Sequence, residues 1–122
     1  MDEIERAAIY RLHARFCKTL ADANRLLIIN ELSRGELSVG ELTEKLGLKQ
    51  SNVSKHLAIM RERGLVKTRR DGATIYYTLS DPRISEAIGL LREIHAEQME
   101  QQVNLAQLIA RQTELRGVAK NA

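Results

Sequence analysis

The spacing of apolar residues changes abruptly past the middle of the chain, and this change restricts the folds the chain can adopt. Over residues 50–63, apolar side chains recur every three to four positions, as on one face of an α-helix. Residues 65–70 and 73–79 are instead rich in Val, Thr, Ile and Tyr, which is typical of strands. Between these runs stands Asp71-Gly72, which indicates a hairpin with a type I′ turn. A helix followed at once by a β-hairpin is therefore predicted.

Helical spacing in the rest of the chain completes the expected architecture. A short turn at Gly47 joins two helices into a helix-turn-helix over about 39–63, and the hairpin over about 65–79 follows it as a wing. Two helices are predicted before this unit, and a long C-terminal helix over about 82–116 after it. We expect a mainly α (α+β) fold, namely a winged helix-turn-helix with a two-stranded β-hairpin wing and long terminal dimerisation helices.

The length and composition agree with one small domain. The 122 residues can bury a core, and we expect residues 1–116 to form a single domain and 117–122 a frayed tail. The chain has no run of 18 apolar residues, so no membrane span is predicted, and its acidic start lacks the features of a secretory signal. One cysteine excludes an intrachain disulfide framework. These features favour a cytoplasmic protein with no membrane partner.

Positive charge is concentrated in one segment. From Lys49 to Arg70 the chain carries seven Lys and Arg residues against one carboxylate, Glu62. That segment has a net charge of +6, and because the whole chain has +3, the remainder has −3. A polyanion-binding surface requires such a concentration. The alternative is a solvated charged face that acidic neighbours approach in the fold.

The predicted helix over 50–63 carries a polar and basic surface opposite its apolar face. At 100° per residue, the outward and flanking side chains of its first turn and a half are Gln50, Ser51, Asn52, Ser54 and Lys55. Short hydroxyl side chains allow close approach to base edges, Gln pairs with adenine, and Lys reaches guanine or phosphate. Lys49 adds a charge before the helix, and we expect Arg69 and Arg70 at the hairpin tip, near the DNA backbone. The sequence thus predicts a recognition helix and wing that bind double-stranded DNA.

The same residues belong to a longer pattern. The stretch GLKQSNVSKHL over 47–57, with LADANRL over 20–26, GLV over 64–66 and Tyr76-Tyr77, resembles the ArsR/SmtB family of bacterial winged-helix repressors. The resemblance covers about residues 10–97. It implies a homodimer, paired through its first and last helices, that represses an operon and is released by a metal ion, a metalloid or a redox signal.

The resemblance also implies which residues contact DNA. The family's contacting positions on the recognition helix fall on Gln50, Ser51, Ser54 and Lys55. Lys49 departs from the pattern, because relatives often carry a Ser or Thr cap there. Loss of that cap costs about 1 kcal/mol, while the lysine adds a charge that attracts phosphate.

The metal sites of that family are not retained. Its Cys-Val-Cys box falls on residues 38–40, where Ser and Gly supply no thiolate. Its site on the last helix is matched at Asp81 and Glu97, but Arg83 and Ile94 stand where histidines are needed. We therefore expect neither site in this chain.

His13 and Cys17 are the remaining candidates for a metal or redox site. They are four residues apart, so they share one face of the first predicted helix and are spaced to hold one metal ion, with His95 as a candidate third ligand. Cys17 alone is a candidate redox residue, through a sulfenic acid or an intersubunit disulfide. The simpler interpretation is that Cys17 is a small buried apolar residue and that no cofactor is needed.

The last predicted helix carries an apolar stripe that begins with Ile84, Ile88 and Leu91. The preceding part of the chain is too short to cover the whole stripe, so we expect a second copy to do so; the alternative is that the helix folds back on its own subunit.

The predicted function is a homodimeric, sequence-specific transcriptional repressor on a palindromic operator, with activation left open. A winged-helix module that binds protein is the alternative. An enzyme is not expected, because the sequence shows no phosphate loop, nucleophile elbow or paired carboxylates.

Overall fold

The computed structural model describes residues 1–121, and the side chains of residues 1–117. Its elements in chain order are α1 (Glu3–Thr19), α2 (Ala23–Leu32), β1 (Leu37–Ser38), α3 (Val39–Leu46), α4 (Gln50–Glu62), β2 (Val66–Asp71), β3 (Thr74–Leu79) and α5 (Arg83–Asn121). This order is the predicted helix-turn-helix with its hairpin, followed by the predicted long helix. The chain divides into two compact units, Met1–Ser85 and the segment that begins at Glu86.

The first unit has a core made by α2, α3, α4 and the chain just before β2. Its fully buried side chains include Ile28, Leu42, Val53, Leu57, Met60 and Leu65. Each such side chain stabilises the fold by about 1.5–3 kcal/mol relative to an exposed one. Three of them belong to α4, so the core holds one side of that helix.

Local signals explain where α3 and α4 begin and end. Ser38 and Glu41 form the reciprocal hydrogen bonds of a capping box at the start of α3, as their spacing predicts. Gly47 ends α3 in the left-handed region, with φ 65°, and its N–H donates to the Thr43 carbonyl. Lys49 precedes α4 and makes no side-chain capping hydrogen bond. The helix-turn-helix therefore depends on one glycine with positive φ.

The sheet differs from the predicted wing in two respects. It has three antiparallel strands in the order β1-β3-β2, and the two-residue strand β1 pairs with Tyr76 and Tyr77 of β3. A strand of two residues is too short to show a period in the sequence. The hairpin turn is also shifted: Asp71 pairs with Thr74, so Gly72 and Ala73 are the central residues.

The predicted type I′ turn is wrong. Such a turn requires positive φ at both central residues, but among the described residues only glycines have positive φ, and Gly72 has 63°. Positive φ at the first central position alone is the pattern of a type II′ turn. The Asp71-Gly72 signal therefore predicted the hairpin correctly but placed its turn one residue early.

The helix α5 begins where the sequence indicates and continues further than predicted. Asp81 accepts a hydrogen bond from the Arg83 backbone N–H and pairs with the Arg83 guanidinium at 2.7 Å. This pairing lowers the pKa of Asp81 to about 2. The helix extends to Asn121, whereas the prediction ended it at about 116. The prediction of a frayed tail concerns residues 117–122. From residue 118 onward, their side chains lie outside the described part of the chain.

Candidate nucleic-acid interface

The first half of α4 presents a continuous polar surface. Its exposed side chains are Gln50, Ser51, Asn52, Ser54 and Lys55. The opposite side of the helix holds Val53, Leu57 and Met60, each with 0% exposure. Because the buried side chains determine which way α4 faces, the residues predicted to contact DNA all lie outside the core.

The start of α4 is suited to a phosphate. The first turn contains no acidic side chain, and the ammonium of Lys49 is exposed directly before it. The N-terminal end of a helix carries unpaired N–H groups and a partial positive charge, both of which attract anions. Lys49 therefore adds its charge to a helix end that already favours phosphate.

The two wing arginines occupy different environments. Arg69 lies opposite Tyr76, two pairs from the end of the ladder, so it is near the predicted tip but not at it. Its guanidinium binds the Glu36 carboxylate at 2.6 and 3.0 Å and lies 4.9 Å from the centre of the Tyr76 ring. Arg70 lies opposite Ile75, one pair from the end of the ladder, and is exposed. Only Arg70 combines the predicted position with a guanidinium that forms no ion pair among the described residues.

The ion pair between Arg69 and Glu36 connects the two edges of the sheet. Their side-chain hydrogen bonds lower the pKa of Glu36 and raise the pKa of Arg69 from their ordinary values. Glu36 precedes β1, and Arg69 lies on β2, with β3 between these strands. Part of the +6 charge found in the sequence is therefore compensated within the wing.

A hydrogen-bonded group at the start of α2 contacts the middle of α4. The Nε of Arg25 donates to the Nδ1 of His56 at 3.1 Å, and the Nε2 of His56 lies 3.9 Å from the Asp22 carboxylate. Asp22 also caps α2, and its hydrogen bond from the Arg25 backbone N–H is the main cause of its lowered pKa. Arg25 and His56 are 31 residues apart in the sequence, so no local pattern indicates that they meet.

His13 and Cys17 come together on α1. The Cys17 Sγ lies 3.6 Å from the His13 Nε2, and both side chains are exposed, so the simpler interpretation of Cys17 as a buried residue is wrong. Within the described part of the chain, no group of three His, Cys, Asp or Glu side chains is arranged to hold a metal ion. His95, the candidate third ligand, is an exposed residue of α5.

Two helices expose large apolar side chains. On α1, Ile4, Ile9 and Leu12 are more than half exposed, at 80%, 51% and 65%. On α5, exposed apolar side chains continue from Leu90 to Leu115. Over the described residues, no helix combines the length and apolarity needed to cross a membrane.

Comparison with known proteins gives consistent matches. The sequence model of bacterial regulatory proteins of the arsR family matches residues 22–68. The chain is 44% identical over 80 residues to the transcriptional activator HlyU of Vibrio cholerae, covering 66% of this chain and 74% of that protein. It is 36% identical over 88 residues to a biofilm growth-associated repressor of Xylella fastidiosa, covering 72% and 77% of the two chains.

A solved structure extends the similarity to the fold. The solution structure of the homodimeric winged helix-turn-helix DNA-binding domain of a possible ArsR-family transcriptional regulator from Mycobacterium bovis matches with a TM-score of 0.72. It is 28% identical, and the match covers 83% of this chain and 93% of that one. The residues matched by the family model include both helices of the helix-turn-helix, α3 and α4.

Proposed function

Because the chain belongs to the ArsR family of bacterial regulatory proteins, we propose that it represses transcription as a homodimer that binds a palindromic operator. Members of this family are transcriptional regulators and not enzymes. The protein would act in the cytoplasm, where bacterial DNA lies.

The observation that carries this proposal is the exposed polar side of α4. Gln50, Ser51, Ser54 and Lys55 are exposed together, while the apolar side of the same helix is fixed by the core. An α-helix fits the major groove, where Gln and Lys distinguish base pairs. Lys49 and Arg70 would contact phosphates and set the register of the helix on the duplex.

The apolar surfaces of α1 and α5 support the homodimer. A monomer would leave these side chains in water, and a second copy offers matching apolar surfaces through a two-fold axis. Two recognition helices about 34 Å apart would read two half-sites of a palindrome. The relative from Mycobacterium bovis is itself homodimeric.

The direction of regulation and the release signal are parts of the proposal. One relative is described as an activator and another as a repressor, and we propose repression because a bound dimer blocks polymerase access. We propose release by a metal, metalloid or redox signal. The exposed Cys17 thiol beside His13 supports a site on α1 for that signal.

The test begins with a random-sequence DNA pool, from which the wild-type protein selects a duplex. Fluorescence anisotropy then compares this duplex with a scrambled one over a salt series. We expect a selected palindrome, a strong preference for it, and a steep decrease of affinity with salt. Selection of no common sequence, with equal affinity for both duplexes, would contradict the proposed function.

Variants of α4 test the residue assignments. Lys55→Ala and Gln50→Ala should each lower the preference for the selected duplex by about 5- to 150-fold, since a base contact contributes about 1–3 kcal/mol. Arg61→Ala, which removes an exposed charge near the end of the same helix, is the matched control and should retain the preference. Equal effects of Lys55→Ala and Arg61→Ala would show attraction by charge alone.

The role of Arg69 requires its own comparison, because Glu36 holds its guanidinium. If Arg69 exchanges Glu36 for a phosphate, Arg69→Ala weakens binding to all duplexes and lowers the salt slope by about one unit. Glu36→Gln would then strengthen binding. An unchanged slope in Arg69→Ala would leave Arg69 a purely structural role and Arg70 the wing contact.

Replacement of the thiol tests the release signal. In Cys17→Ser, the response of DNA binding to oxidants, arsenite and divalent metal ions should be lost, while DNA affinity without them is retained. A response unchanged from that of the wild type would exclude both the metal and the redox role of Cys17.

A further inference from the structure

His56 stands between the DNA-facing and buried sides of α4. It follows Lys55, an exposed candidate DNA contact, and precedes Leu57, which is fully buried. Its own side chain is 13% exposed. Both ring nitrogens face α2: Nδ1 accepts from the Arg25 Nε at 3.1 Å, and Nε2 lies 3.9 Å from the Asp22 carboxylate. His56 therefore lies at the edge of the buried side of α4 and joins this helix to the start of α2 through polar contacts.

Arg25 is itself fixed from two directions. Its Nη1 donates to the Thr19 carbonyl at the end of α1, at 3.2 Å, and its backbone N–H donates to the Asp22 carboxylate at 3.1 Å. Thr19 is 5% exposed, so the carbonyl belongs to a packed part of the chain. A planar guanidinium held at two edges has little freedom left. Arg25 thus connects the ends of α1 and α2 to the middle of the recognition helix.

The hydrogen bond requires a particular state of the imidazole. A guanidinium only donates, so the His56 Nδ1 must be unprotonated to accept from Arg25. The remaining proton of the neutral ring is then on Nε2, on the side of Asp22. Protonation of Nδ1 would place an N–H against the Arg25 guanidinium and end the hydrogen bond.

The core contacts of α4 determine which side of the helix faces outward but restrain a small rotation about its axis less strongly. Val53, Leu57 and Met60 lie on one side of the helix and make non-directional contacts, which resist separation more than a small rotation about the helix axis. A directional bond at the edge of the helix restrains that rotation. Since Ser54 and Lys55 directly precede His56, a rotation would move their side chains relative to the base edges.

We propose that Arg25 and His56 are positioning residues that set the rotation of α4 for reading DNA sequence, an inference that rests on the proposed function. Neither residue touches a base. Their hydrogen bond acts on sequence discrimination through Ser54 and Lys55, whereas phosphate contacts are less affected because they tolerate small shifts.

The experiment compares affinities for the selected duplex and the scrambled duplex by anisotropy, and records thermal unfolding of each variant. His56→Leu removes the acceptor, and Arg25→Lys keeps the charge but removes the guanidinium. We expect each to lower the ratio of the two affinities about tenfold, because a hydrogen bond to a charged group is lost. His56→Asn, whose amide oxygen stands near the place of Nδ1, should restore most of the ratio. The double variant should be no worse than either single one.

A pH series distinguishes positioning from a general structural role. The charged groups that face the His56 ring are Asp22, which caps α2, and Arg25, which lies on α2. A protonated Nδ1 cannot accept from Arg25, so the ratio of the wild type should be lower in acid than at neutral pH. The ratio of His56→Asn should not change in the same way.

Each outcome has a definite meaning. A ratio unchanged in both His56→Leu and Arg25→Lys overturns the proposal, as does a loss of affinity that is equal for the two duplexes. If His56→Leu unfolds, Arg25→Lys and the pH series still decide the question. A wild-type protein without preference for the selected duplex would overturn the proposed function and this inference with it.

Discussion

The helices α4 and α5 are both amphipathic, yet their apolar sides meet different surroundings. In α4, Val53, Leu57 and Met60 are 0% exposed. In α5, Leu91, Ile94 and Leu105 are 66%, 45% and 59% exposed. Apolar side chains that recur with helical spacing are therefore buried in the core in α4 but form an exposed surface in α5.

The difference indicates separate tasks for the two helices. Because the core already covers the apolar side of α4, only its polar side is available for another molecule, and DNA suits that side. The described side chains of α5 instead offer an apolar surface, which suits a second protein copy. The two helices thus offer different surfaces, one polar and one apolar.

The largest expected effect comes from the buried side of α4. Leu57→Ala should lower the free energy of unfolding by about 2–5 kcal/mol, because it leaves a cavity in the core. Lys55→Ala, on the exposed side of the same helix, should change it by less than about 0.5 kcal/mol. Urea denaturation measures both values. Similar losses in the two variants would mean that α4 is not held as described.

A charge on the apolar side of α5 should next separate the proposed dimer. Leu91→Glu would place a carboxylate in the dimer interface, so we expect the dissociation constant of the dimer to rise by at least about tenfold. Ala96→Glu adds the same charge about 140° further round the helix and is the control. Sedimentation equilibrium measures both. A dimer unaffected by Leu91→Glu would exclude this part of α5 from the interface.

The turn before α4 gives a smaller effect on stability. Gly47 has φ +65° and open space where a Cβ would stand, so Gly47→Ala should cost about 1–2 kcal/mol through backbone strain alone. Gly40 lies inside α3 without positive φ, and Gly40→Ala should stabilise the protein by about 0.5–1 kcal/mol. Thermal unfolding checks both signs. Stabilisation by Gly47→Ala would contradict a left-handed turn between α3 and α4.

The smallest effect concerns the start of α5. The Arg83 guanidinium lowers the pKa of Asp81 from 3.8 to about 2, so the charged pair stabilises the fold above about pH 4 and is lost as pH falls towards 2. Asp81→Asn should therefore lower the unfolding temperature at pH 6 but make little difference near pH 2. Arg83→Met should remove the same pH dependence. A difference that persists at pH 2 would assign the effect to capping alone.

Local patterns in the sequence predicted much of the architecture. The helix-turn-helix, the hairpin and the long last helix follow from periodicity, and the capping box at Ser38 follows from a spacing of three residues. The exposed polar side chains of α4 also follow from the sequence, because they lie opposite an apolar stripe with helical spacing. Each of these features depends on residues within about two helical turns of one another.

The errors have a common cause. A buried Cys17 thiol was one interpretation and the structure exposes it, and Arg69 lies two pairs from the hairpin tip at which it was placed. The turn was placed one residue early, and β1 was missed. Burial and strand register depend on what packs against a segment, and a local pattern does not contain that information.

The sequence by itself determined the succession of the helices and the hairpin, the polar side of α4 and the family to which the chain is similar, since these depend on local periodicity, caps and short motifs. Only the tertiary structure decided which polar side chains meet. Glu36 binds Arg69 from 33 residues away, and Arg25 binds His56 from 31. Such pairs form because the packing of the core brings distant segments within hydrogen-bond distance, and the tertiary structure alone shows that Arg69 is held within the wing and α4 is bonded to α2.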